Sequence, residues 1–125
     1  MSSLQERFNS VLALFQSGEH SAVTLEINNL LATSPENPDV LHLAALNEKA
    51  KWNYPEAKRL FRASLRCSPK QPIVLSNLAN LLRAMGEFQG ADELYVAAID
   101  AMPSLRDAWL NRGLLAKDLK DWEQA

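Results

Sequence analysis

The chain has 125 residues, 47% of them hydrophobic, with a formal net charge of −2 and a pI near 5.7. That length suits one domain of moderate size, the mild acidity argues against a broad nucleic-acid-binding face, and one Cys excludes an internal disulfide framework. No apolar run reaches the roughly 18 residues of a membrane span, and the polar start MSSLQERFNS lacks a signal-peptide core, so a cytoplasmic protein is expected.

Apolar residues recur at spacings of 3 and 4, the period of a helix face. They predict helices over residues 5–17, 21–33, 39–51, 55–67, 73–85, 89–101 and 106–119. In the first helix Val11 and Leu14 take core places, whereas Arg7 and Ser10 stand where apolar residues are expected. Phe8, Leu12 and Phe15 form a second apolar stripe, and the helix is either rotated to bury it or carries it on an inner surface. The second helix offers Val23, Ile27, Leu30 and Leu31, with Pro35 after it.

Asn37-Pro38-Asp39 opens the third helix, whose core face is Leu41, Ala44 and Ala45. Glu48 stands where Leu82 stands one hairpin later. Trp52 holds the place of a turn glycine, and Asn53 beside it is expected to supply the left-handed residue. Pro55 fits the first turn of the fourth helix, and Lys58, Arg62 and Arg66 face outward, as a patch for an acidic partner or, the reading preferred, a solvated face. Cys67, near that helix's end, is expected to be a small buried residue.

The stretch from Pro72 to Pro103 carries the clearest pattern. Leu75, Leu78, Ala79 and Leu82 line one helix, and Phe88, Ala91, Leu94, Tyr95, Ala98 and Ile99 line the next. Gly86 ends the first of these helices, because glycine tolerates the left-handed conformation. Trp109, Gly113, Ala116, Asp121, Trp122 and Ala125 begin the pattern again, with Lys120 in place of the turn glycine. The chain is expected to be the N-terminal part of a longer protein, or cut within a repeat array. The face of Trp109, Gly113 and Ala116 is then only partly covered by Trp122 and Ala125, which predicts either self-association through the incomplete fourth repeat or fraying of its last turn.

These segments share one period. Pro35, Pro69 and Pro103 lie 34 residues apart, as do His20, Tyr54, Phe88 and Trp122, and Ile27, Phe61 and Tyr95. A fixed period of this length means stacked repeats. The pattern resembles the tetratricopeptide repeat (TPR), matched most fully by Leu75, Leu78, Ala79, Leu82, Gly86, Phe88, Ala91, Tyr95, Ala98 and Pro103. The resemblance implies an all-α fold, a right-handed superhelical array of antiparallel helix hairpins. One domain is expected over 1–125, with repeats at about 4–37, 38–71, 72–105 and an incomplete 106–125.

The resemblance also implies a concave groove lined by the first helix of each repeat. Its register places His42, Leu46, Lys49, Ser76, Asn77, Asn80, Arg83, Leu110, Asn111, Leu114 and Lys117 there, with Phe8, Leu12 and Phe15 as further apolar contacts. Lys49, Arg83 and Lys117 recur one repeat apart, which favours an acidic peptide or protein partner, and Asn77 and Asn80 suit its backbone. Some TPR domains grip chaperone tails with a Lys/Asn/Asn/Lys/Arg set. The equivalent places here hold Phe8, Leu12, Leu43, Ile73 and Asn77, or His42, Leu46, Asn77, Asp107 and Asn111, so that clamp is not expected.

No phosphate loop, zinc spacing or nucleophile motif is present in the sequence. The expected function is therefore a protein–protein interaction scaffold, with no cofactor, no nucleic acid and no membrane. The alternative is the non-catalytic N-terminal arm of a larger glycosyltransferase- or sulfotransferase-like enzyme, which recruits substrate or drives oligomerisation.

Overall fold

The structure, a computed structural model, describes the backbone of residues 3–124 and the side chains of residues 3–121. Every described element is an α-helix: α1 (Leu4–Gln16), α2 (His20–Thr33), α3 (Pro38–Ala50), α4 (Tyr54–Cys67), α5 (Pro72–Ala84), α6 (Phe88–Ala101) and α7 (Arg106–Gln124). The caps follow from local chemistry. The Ser3 hydroxyl accepts the Glu6 amide at 3.1 Å at the start of α1. The Asn37 side chain accepts the amides of Asp39 and Val40 at 3.0 and 3.1 Å, just before Pro38 opens α3.

The three tight turns share one hydrogen-bond pattern. The amides of Glu19, Asn53 and Glu87 reach back to the carbonyls of Leu14, Glu48 and Leu82 at 3.1, 2.9 and 2.8 Å. This six-to-one closure requires a left-handed residue just before the donor. Gly18 and Gly86 supply it with φ of 84° and 79°. In the middle turn Trp52 takes φ of 64°, where Asn53 was expected to be the left-handed residue. The closure fixes which position must be left-handed, and the Asn53 side chain donates its Nδ2 hydrogen to the Glu48 carboxylate at 3.0 Å.

The chain forms two compact units, residues 1–67 and 68–125. In the first, α1 packs on α2, α2 on α3 and α3 on α4, and α1 also touches α3. Val23, Ala45, Ala57 and Phe61 are fully enclosed in it, the two alanines letting backbones approach closely. Val11 keeps its core place, while Phe8, Leu12 and Phe15 are half-buried, so α1 is not rotated to bury the stripe. Phe15 instead meets the His20 ring edge-on, with centroids 5.4 Å apart. Cys67, expected to be buried, is exposed at the last position of α4.

In the second unit α5, α6 and α7 all pack on one another. Ala79, Leu81, Ala91, Tyr95 and Ala98 are enclosed, as the helical spacing predicts for all of them but Leu81. The helix expected to end at Leu119 runs on through Lys120 to Gln124. Lys120 offers none of glycine's tolerance of positive φ, and its neighbours Asp121, Glu123 and Gln124 are compatible with a helix. Trp109 is 53% exposed, its indole N–H donating to the Pro103 carbonyl at 2.8 Å, and Ala108 takes the enclosed place beside it. Gly113 and Ala116 are exposed too. The Trp122 side chain and Ala125, expected to cover part of this face, lie outside the described residues.

Candidate functional site

The expected binding residues sit on the first helix of each hairpin, and the two units present them separately. In the first unit Phe8 and Leu4 from α1 and Val40 and Asp39 from α3 line a cavity of about 240 Å³, closed by Gln5 and Asn37. His42 lies one turn beyond Asp39, half-buried, its ring tilted against Phe61 at 6.0 Å. Burial pushes the His42 pKa below 6.5, and the Asp39 carboxylate partly opposes that. Leu46 and Lys49 follow on the same helix, both half-buried. Burial also lowers the Lys49 pKa, since the ammonium loses part of its hydration.

Behind α3 stands a polar network that the pattern of apolar residues does not show. Asn47 is 1% exposed. Its amide donates to the Thr24 hydroxyl at 2.8 Å, and its oxygen lies 3.2 Å from His20 Nδ1. Thr24 in turn donates to the His20 carbonyl at 3.0 Å. His20 therefore holds its packing place through a hydrogen bond as well as through Phe15.

In the second unit Ser76 is 4% exposed and presents little surface. Asn77, Asn80 and Asn111 are half-buried. Asn80 Oδ1 accepts the hydroxyl hydrogen of Tyr95. Burial raises the Tyr95 pKa, and the nearby Arg83 guanidinium opposes that rise. Arg83 Nε donates to Asp118 Oδ2 at 2.6 Å, a bond that holds the guanidinium pKa above its usual value. A second cross-helix pair joins Arg112 Nε to Asp92 Oδ1 at 3.0 Å. Leu110 and Leu114, 63% and 41% exposed, lie one turn apart on α7, with exposed Lys117 one turn further on.

Sequence reasoning missed Asp118 and Asn47. Asp118 lies 35 residues after Arg83, one repeat plus one, so its signal was an offset from the period rather than the period itself. Asn47 falls on the buried side of a helix otherwise lined by Val, Leu and Ala, where a lone amide signals a network. The first helices carry apolar, amide and cationic groups side by side. Among the described residues no cluster of His, Cys, Asp or Glu is placed to hold a metal ion, and no helix is long and apolar enough to cross a membrane.

No protein-family model and no curated protein matches this sequence. Solved structures do match its fold. The Sgt2 TPR domain of Aspergillus fumigatus superposes with a TM-score of 0.90 at 17% identity, over 100% of this chain and 84% of that one. The pilF structure of Pseudomonas aeruginosa gives 0.87 at 18% identity, over 94% of this chain. The chain spans about half of that protein's structure, 54%. The first TPR of Spaghetti (RPAP3), bound to the HSP90 peptide SRMEEVD, gives 0.87 at 12% identity, over 94% of this chain and 93% of that one. The fold is all-α and TPR-like.

Proposed function

We propose that this protein is an interaction scaffold whose first helices bind an extended segment of a partner protein. The observation that carries this reading lies in the second unit. There Leu110, Leu114 and Lys117 are exposed along one side of α7, and half-buried Asn77 and Asn111 stand on the first helices of their hairpins. Apolar area supplies affinity, amides match a peptide backbone, and a cation selects acidic side chains. The similar RPAP3 domain is described with a bound peptide, which supports a peptide as ligand. The places of a chaperone-tail clamp lack its cations here, so we assign a different acidic segment. A preformed helical surface binds without first ordering itself, which preserves affinity.

The test uses a fluorescein-labelled Gly-Glu repeat peptide, with its Gly-Gln counterpart as control, followed by anisotropy at rising salt. Binding of the acidic peptide should weaken with salt and should fall on Lys117→Gln or Leu110→Ser. Equal binding of both peptides, indifferent to salt, would remove the acidic partner. A second reading has its own observation: Trp109, Leu110 and Leu114 leave a side of α7 exposed, and a second copy of the chain would cover it. Sedimentation that stays monomeric at high concentration would reject that reading.

A further inference from the structure

Arg83 stands one repeat after Lys49 and one before Lys117, yet its charge is already matched. Its Nε donates to Asp118 Oδ2 at 2.6 Å, and that carboxylate belongs to α7 of the same unit. The pair is partly withdrawn from water, Arg83 being 27% and Asp118 37% exposed. On α5 Asn80 is likewise engaged, by the Tyr95 hydroxyl. So two α5 residues expected to meet a ligand already hold partners inside the fold.

α7 is anchored by other residues besides Asp118. Ala108 and Leu115 are fully enclosed, and Arg112 ties α7 to Asp92 of α6 at 3.0 Å. The carboxylate at 118 instead does what a ligand carboxylate would do: it accepts a charge-assisted bond from Arg83. We propose that Asp118 is a specificity-determining residue, a built-in competitor that an acidic ligand must displace from Arg83. This rests on the binding reading above.

Exchange replaces one guanidinium–carboxylate bond with another, so a single ligand carboxylate gains little. The displaced Asp118 also stays close and repels an acidic segment. A ligand with two carboxylates gains a net ion pair, because the second can meet Lys117. Neutral segments meet no barrier. The surface therefore discriminates between singly and multiply acidic segments.

The test compares wild type, Asp118→Asn, Arg83→Gln and the double substitution, with the same Gly-Glu repeat peptide at low salt. Asn keeps the shape of Asp; thermal melting confirms the fold, and Asp118→Ser serves if Asn disturbs it. Asp118→Asn should tighten binding by about threefold to fivefold, the scale of one partly exposed charge pair. Arg83→Gln in that background should abolish the gain. If Asp118→Asn binds like wild type while Lys117→Gln weakens binding, the competitor is refuted and the binding reading stands. A gain that survives Arg83→Gln would show only removal of negative charge, and would also refute it. Absence of binding by every variant would overturn the acidic-ligand reading and this proposal together.

Discussion

The hydroxyl of Tyr95 on α6 donates its hydrogen to the side-chain oxygen of Asn80 on α5, inside a unit where the tyrosine is wholly enclosed. The ring fills the space between helices and the hydroxyl satisfies a half-buried amide, so the two roles separate by substitution. Tyr95→Phe keeps the ring and leaves Asn80 without that donor, a loss of about 1–2 kcal/mol. Tyr95→Ala also removes the ring and should cost about 3–5 kcal/mol. Denaturant unfolding of both variants measures the difference. Equal losses would mean that the ring contributes nothing beyond the hydroxyl, and an unchanged Tyr95→Phe would mean that the hydroxyl contributes nothing.

The turn at Trp52 carries conformational strain that the other two turns avoid. A bulky residue at φ of 64° pays for contact between its Cβ and the backbone, and the indole is 79% exposed. Its stack on Tyr54, centroids 5.9 Å apart, offsets part of that. Trp52→Gly should raise stability by about 0.5–1 kcal/mol. Gly86→Val should lower it by about 1–2 kcal/mol. Nothing stands within 4 Å of a Cβ at Gly86, so the expected cost is the strain of the positive φ. Thermal melting that shifts in the same direction for both would contradict this account.

The helices and most of the core were legible because they rest on local periodicity. Leu75, Leu78, Ala79 and Leu82 recur at helical spacing, and all four are buried. What was not legible depends on neighbours in space. Trp109 looks like a core residue by its place in the repeat, yet the indole stays 53% exposed and bonds the Pro103 carbonyl. The engagement of Arg83 could not be read either, since Asp118 sits one residue off the repeat interval. Cys67 matches the small-residue places Thr33 and Ala101, which are exposed as well, so likeness in register said nothing about burial.

Asn47 should matter more than its size suggests. It is 1% exposed and joins α3 to α2 through Thr24 and His20. Asn47→Leu fills a similar volume but leaves the His20 Nδ1 without that bond. A loss of about 1–3 kcal/mol is expected, the range for stranding buried polar groups. Adding Thr24→Val should recover part of it, because the hydroxyl then no longer needs a partner. Strict additivity of the two substitutions in chemical denaturation would show that they do not form one network.

The last expectation concerns pH. Burial holds the His42 pKa below 6.5, more strongly than the Asp39 carboxylate raises it. In the unfolded chain the imidazole titrates at its ordinary value, so on acidification the unfolded state takes up a proton before the folded state does. Stability then rises with pH wherever the unfolded state holds more protons. The His42 contribution is fully present above 6.5 and is lost as pH falls from there through the lowered folded pKa. His42→Leu removes this titration while keeping an apolar contact for Phe61, 6.0 Å from the ring in the native protein. The variant should therefore lose less stability than wild type between pH 7 and the onset of carboxylate protonation near pH 4. Parallel pH profiles of melting temperature for the two proteins would show that His42 titrates alike in both states.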